Sequence, residues 1–244
     1  MRNLKLILQY DGSNYHGFQI LPDVATVAGE VNRVLTALTG SEVNIQGCSR
    51  TDAGVHAYRY CCNFATDFPI PADRLPIVLR KMLPDDITAI ECTEVDESFN
   101  ARFDTVSKTY RYLINTSPDC TVYTRNYEWQ YGKHLDVEAM QKAAGYIIGE
   151  HDFASFMTSG GQVTSTVRTV YRLDVIENGD MVEIYINADG YLYNMVRIIT
   201  GTLVQVGEGK ISPEAVKDIV SACDRQAAGP TAPPQGLYLY EINY

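Results

Sequence analysis

Leu4, Leu6, Leu8 and Tyr10 alternate with polar residues until Asp11-Gly12, which predicts a half-buried strand entering a loop. From residue 26 the period lengthens. Val27, Val31, Val34, Leu35 and Leu38 fall on one helical face, and Gly40 stands where a helix stops, so a helix is expected over 26–39. Residues 42–46 and 58–65 read as strands, 73–82 as a helix with Pro76 in its first turn, and 87–95 as a closing strand.

The second part of the chain follows a similar order. Residues 105–115 read as a strand with Val106, Lys108, Tyr110 and Tyr112 on one face and Ser107, Thr109, Arg111 and Leu113 on the other. Asp136 is placed to cap a helix running to Ile148, with Gly149 at its end. Residues 167–176 and 182–188, joined through Asn178-Gly179-Asp180, form a hairpin pattern. Apolar helices are expected over 191–206 and 213–223, then a stiff connector over 229–234 and a last strand over 237–242. Two successive sets of strands and helices predict an α+β protein with one half over residues 1–104 and another over 105–244, sharing one continuous sheet.

The charge changes what such a fold is expected to bind. Thirty acidic against 20 basic residues leave a net charge of −10, which taken globally argues against a polyanionic partner. Locally it differs: between Arg102 and Tyr112 there are three basic residues and one acidic, and between Ser165 and Arg172 two and none. No apolar run approaches the ~18 residues of a transmembrane helix, and the first residues lack an apolar signal core, so a cytoplasmic protein is expected. The six cysteines (Cys48, Cys61, Cys62, Cys92, Cys120, Cys223) include no C-x-x-C pair and read as buried or half-buried thiols. The four histidines show no i, i+4 pairing, so no metal site is expected.

Candidate chemistry concentrates in Cys48-Ser49-Arg50-Thr51-Asp52-Ala53-Gly54-Val55-His56-Ala57, a polar loop between two predicted strands. A guanidinium two residues before a carboxylate favours the ionised, acceptor-only form, suited to a nucleophile or an electrostatic stabiliser. D-x-G is equally ordinary turn chemistry, so these residues alone leave a structural pair open.

The wider pattern carries more. Tyr10-Asp11-Gly12-Ser13-Asn14-Tyr15-His16-Gly17-Phe18-Gln19 is followed by the Arg50 to Ala57 octapeptide, by Phe99-Asn100-Ala101-Arg102-Phe103 and by Lys108-Thr109-Tyr110-Arg111-Tyr112. Met195-Val196-Arg197 and Gly236-Leu237-Tyr238-Leu239 complete the set. In this order and spacing the segments closely resemble the TruA family of tRNA pseudouridine synthases over essentially the whole chain. The resemblance implies an isomerase that converts uridine to pseudouridine at positions 38, 39 and 40 of the tRNA anticodon arm, with no cofactor and no essential metal. It implies Asp52 as nucleophile, Arg50 as the preceding arginine, Arg197 as the basic partner of the nucleophile, and Tyr110 as the ring that stacks on the target uracil. The implied fold is two RRM-like (ferredoxin-like) halves joined through one mixed, mainly antiparallel sheet with a cleft between them, assembled as a homodimer. At position 49 the family pattern has glycine where this chain has Ser49. If that backbone needs φ > 0, serine costs about 1 kcal/mol or more.

An acidic enzyme acting on tRNA needs its cations gathered around the substrate. Arg50, Arg102, Lys108, Arg111, Arg168 and Arg197 are the expected lining. Two alternatives stand beside the synthase: a non-catalytic RNA-binding protein of the same fold, and a carboxylate-based glycoside or nucleoside hydrolase using Asp52 with a second acid.

Overall fold

The computed structural model describes residues 1–119, 121–160 and 163–244; Cys120 lies outside the described residues. The chain forms two compact units, Met1–Val106 with Tyr238–Tyr244, and Ser107–Leu237.

In unit 1, β1 (Arg2–Tyr10) pairs antiparallel with β3 (His56–Thr66) on one side and β4 (Ile87–Val95) on the other. The short β2 (Gln46–Gly47) pairs with β3, and β10 (Leu237–Asn243) runs parallel to β3 with Tyr238 opposite His56. The order β1, α1 (Val27–Thr39), β2, β3, α2 (Leu75–Leu79), β4 is a split βαβ, ferredoxin-like arrangement. Its core is the apolar face of α1, with Val27, Val31, Val34 and Leu35, and strand residues such as Leu4, Leu6 and Leu8, all buried. The α1 ends are those expected: the Thr26 side chain accepts from Gly29 N–H at 3.3 Å, and Gly40 closes the helix at φ 73°.

Two expectations in this unit are corrected. Residues 42–45 are not a strand, because α1 side chains take their backbone donors: Val43 N–H donates to Thr36 Oγ1 at 3.1 Å and Ile45 N–H to Asn32 Oδ1 at 3.0 Å. The helix expected over 73–82 is a 3₁₀ turn, Ala72–Arg74, followed by only five α residues, with Pro76 near its start.

In unit 2, β5 (Ser107–Asn115) pairs antiparallel with β9 (Met181–Ala188), which pairs with β8 (Val167–Asn178). The hairpin is as expected. Two strands not read from sequence complete the sheet: β6 (Trp129–Gln130) beside β5, and β7 (Gly149–Asp152) beside β8. Three helices accompany them: α3 (Val137–Ala144), α4 (Met195–Gly207) and α5 (Ala215–Ala222). Asp136 caps α3 as expected, accepting from Ala139 N–H at 2.9 Å. The helix stops at Ala144 rather than Ile148, because Gly145 loosens the register and the next donors reach back only three residues. Helix α4 begins at Met195 instead of 191, since Asn194 is left-handed at φ 61°. The fold is thus α+β with mainly antiparallel pairing.

Among the described cysteines, Cys48, Cys61, Cys62 and Cys92 are buried, whereas Cys223 is exposed, against expectation. It sits just past α5 in a left-handed conformation, φ 49°, where the helix ends.

Candidate active site

The Asp52 loop belongs to unit 1 and is clamped by the segment that follows β1. Tyr10, the last residue of β1, sets its hydroxyl 2.8 Å from Thr51 Oγ1, both side chains being buried. Phe18 N–H donates to Thr51 O at 3.2 Å, and Gly54 N–H donates to Tyr15 O at 3.3 Å. Within the loop, Val55 N–H donates to Asp52 O at 3.1 Å and Gly54 adopts φ 77°, closing a tight turn that leaves Asp52 half-buried.

Two glycines make this close approach possible. A Cβ on Gly12 would meet Val55 O at 2.0 Å, and one on Gly17, itself at φ 90°, would meet Thr51 O at 2.5 Å. The entry to the loop is held by Tyr60, whose hydroxyl donates to Ser49 O and accepts from Ser49 N–H at 3.3 Å. Burial pushes the Tyr60 hydroxyl well above the usual phenol range, so it stays protonated and able to donate. Ser49 does not have positive φ, so the serine carries no left-handed strain there.

The clamp is anchored in turn. Tyr15 OH donates to Asp86 Oδ1 at 2.5 Å and Asn14 Nδ2 to Asp86 Oδ2 at 3.1 Å, fixing the loop to the start of β4. Burial, then the hydrogen bond and negative charge of Asp86, raise the Tyr15 hydroxyl well above its ordinary value. His56, buried at the start of β3, places Nδ1 3.1 Å from Gly12 N and 3.2 Å from Asp11 Oδ1, and its ring stacks on Tyr238 at 4.7 Å. Sequence spacing does not point to Tyr15 or Asp86 as site residues: Tyr15 lies within the Tyr10 to Gln19 segment, and Asp86 follows Asp85 in an acidic stretch.

Unit 2 carries the expected Tyr110 and Arg197. Tyr110 is buried on β5, its ring edge-on to Tyr191 at 4.9 Å. Tyr191 OH lies 2.8 Å from both Lys108 O and Ile186 O, which locks the ring against β5. Burial raises this phenol well above its usual range. Arg197 sits in the first turn of α4, where Nε donates to Ala232 O at 2.7 Å and Nη1 donates to Asn194 Oδ1 at 2.8 Å. Ala232 N–H returns a bond to Arg197 O at 3.0 Å, so residues 229–234 are strapped to the helix. The fit needs glycine: a Cβ on Gly201 would meet Pro230 O at 1.8 Å.

The expected RNA-contacting cations fare differently. Arg50 and Arg102 are exposed, and Arg102 lies over the Phe103 ring at 5.5 Å. Lys108 shares the Tyr110 face of β5. Arg111 points to the opposite face, where Nε donates to Glu183 at 3.1 Å and Nη2 lies 2.9 Å from the same carboxylate. Arg168 is half-buried, and its Nη1 donates to Ser165 O at 3.0 Å and Val167 O at 2.6 Å. Among the described residues no group of three or more His, Cys, Asp or Glu side chains is placed to hold a metal ion, and no helix is long and apolar enough to cross a membrane.

Comparison with known proteins extends the sequence resemblance. A family model described as tRNA pseudouridine synthase matches residues 6–104 and 143–244, stretches that include Asp52 and Arg197 but not Tyr110. "tRNA pseudouridine synthase A" of a Thermoanaerobacter species is 48% identical over 244 residues, covering 100% of both chains. Proteins of the same name from Clostridium acetobutylicum and Brevibacillus brevis are 46% and 47% identical over 244 residues, again covering 100% of each chain. With a family match over most of its length and relatives near half identity from end to end, this chain belongs to the tRNA pseudouridine synthase family, isomerases that act on tRNA.

Proposed function

We propose that this protein isomerises uridine to pseudouridine at positions 38, 39 and 40 of the tRNA anticodon arm, with Asp52 as the nucleophile. The reaction breaks the C1′ to N1 bond, turns the uracil over while it is held, forms C1′ to C5, releases the C5 proton to solvent and returns a proton from solvent to the freed ring nitrogen. Nothing is gained or lost in mass. A carboxylate serves by attacking C1′ or by adding to the uracil ring, and both routes require Asp52 ionised as acceptor and nucleophile.

The observation that carries this reading is the construction of the Asp52 turn. Hydroxyl, backbone and glycine contacts from residues 10–18 hold it on both flanks, with Asp52 half-buried at its corner. Such preorganisation fixes a reacting group without a cost at the moment of reaction. Tyr110 is the ring that retains the detached uracil, stacking being worth roughly 1 to 3 kcal/mol per base without fixing its orientation. Arg197 is the cation that keeps the nucleophile ionised, and its bonds to Ala232 and Asn194 hold that guanidinium in place. Because the target lies in or beside a paired stem, it is extruded before reaction, at a cost of a few kcal/mol.

Phosphate contact falls to Arg50, Arg102, Lys108 and Arg168, with Arg111 contributing less because Glu183 neutralises it locally. A few cations on an acidic body predict modest, salt-sensitive affinity with recognition by shape. The reading includes a homodimer working in the cytoplasm, for which sedimentation and fractionation are the checks. Mapping pseudouridine in unmodified tRNA treated with the purified protein tests the assignment. Modification confined to positions 38–40 supports it; modification elsewhere, free uracil, or binding without turnover contradicts it.

A further inference from the structure

Beyond β5 the chain enters a surface turn that is built around a buried acid. Glu128, 5% exposed, accepts at Oε1 from Asn115 Nδ2 at 2.8 Å and from Thr124 Oγ1 at 2.6 Å. Tyr127 N–H donates to Thr124 O at 2.8 Å, Gln130 Nε2 to Thr121 O, and Arg125 Nη1 to Val122 O. This frame holds Val122 and Tyr123 at the tip, 64% and 87% exposed. Tyr123 is the most exposed large hydrophobic or aromatic side chain among the described residues. The turn that carries it is held by hydrogen bonds of the neighbouring side chains and backbone, while the ring itself faces solvent.

The charge of the turn is also unlike that of the chain. Residues 121–130 hold one cation, exposed Arg125, and one acid, buried Glu128, in a protein of net charge −10. Exposed Asp119 lies just before this window, but within residues 121–130 an exposed ring stands with a guanidinium close in sequence and no surface acid, which suits a nucleobase and its phosphate. We propose that Tyr123, with Arg125, is a stacking platform for an unpaired nucleobase of the bound tRNA. This rests on tRNA being the substrate, as proposed above. The turn leaves β5 at Asn115, five residues past Tyr110, or roughly 17 Å along the strand, so the base it takes is not the reacting uracil.

The test compares wild type with Tyr123→Ala, Tyr123→Phe and Arg125→Gln, using fluorescein-labelled unmodified tRNA for Kd and release of tritium from uracil C5 for turnover. Tyr123→Ala is expected to weaken Kd about tenfold and raise KM in proportion, with kcat at saturating tRNA retained, while Tyr123→Phe stays within about twofold. Arg125→Gln is expected to reduce the slope of log Kd against log salt by about one, whereas Tyr123→Ala leaves it unchanged. A Kd for Tyr123→Ala within about twofold of wild type overturns the proposal. So does a weakened Kd accompanied by loss of an oligomer in sedimentation, which assigns the ring to a protein contact. Binding and turnover are read separately: wild type that binds tRNA but releases no tritium overturns the catalytic reading and leaves the Kd comparison to decide the platform.

Discussion

The hydroxyls of Tyr10 and Thr51 lie 2.8 Å apart in a buried setting, joining the last residue of β1 to the residue before Asp52. A hydrogen bond of this kind contributes about 1 kcal/mol net, and more is lost when one partner is left buried and unsatisfied. Tyr10→Phe is therefore expected to lower stability by about 1 kcal/mol in urea unfolding. It should also lower kcat more than it changes KM, because the bond positions the nucleophile rather than the substrate.

Gly12 and Gly17 are the points at which the clamp touches the loop most closely. A methyl group at either position collides with backbone oxygen, 2.0 Å from Val55 O or 2.5 Å from Thr51 O, and neither backbone can yield without moving Asp52. Gly12→Ala and Gly17→Ala should each cost about 1 to 3 kcal/mol in stability and most of the turnover, measured by denaturant unfolding and tritium release. Gly40→Ala, at a left-handed helix end with open space around it, is expected to lose stability by about 1 kcal/mol while kcat is kept.

Arg197 tests whether charge alone is enough. Its Nε and Nη1 donate in a fork to Ala232 O and Asn194 Oδ1, geometry that a lysine ammonium on a flexible stem does not reproduce. Arg197→Lys is expected to keep the net charge yet reduce kcat by at least tenfold, and to lower the melting temperature by freeing the strap over α4.

The buried thiols and phenols fix the alkaline limit. Burial raises Cys62 and Tyr60 well above their ordinary values and pushes Cys92 up to about 12. These groups bind protons more tightly in the folded state, so their contribution is full below the unfolded values and is lost as pH rises toward the folded ones. Stability measured by urea unfolding should fall progressively above about pH 8.5 to 10. Among the described cysteines only Cys223 should react with iodoacetamide in the native protein. Its rate should keep rising past the usual thiol midpoint, because desolvation, then the charge and hydrogen bond of Asp152, raise its pKa.

What could be read in advance followed locality. Helix α1 and the β8–β9 hairpin carry their own caps and turn residues, Thr26 with Gly40 and Gly179 at φ 59°, so sequence spacing located them closely. Residues 42–45 failed because Thr36 and Asn32, distant in any strand pattern, take their backbone donors. The start of α4 failed because the Tyr191 hydroxyl is drawn to the β5 and β9 carbonyls, and only then does Asn194 turn into the helix. For the candidate site, Asp52 stood out through its motif. Asp86, which anchors the clamp through Tyr15, lies in an ordinary acidic run and becomes visible only when the chain is folded.

The most direct experiment is tritium release from tRNA labelled at uracil C5, comparing wild type with Asp52→Asn and Asp52→Ala at equal tRNA occupancy. Within the turn Asp52 O accepts from Val55 N–H, a backbone bond that neither substitution removes, and a melting curve of each variant checks that the fold is kept. Release by wild type and none above background by either variant, with tRNA affinity preserved within a fewfold, is the expected result. Wild-type rates in either variant would show that Asp52 is not the nucleophile.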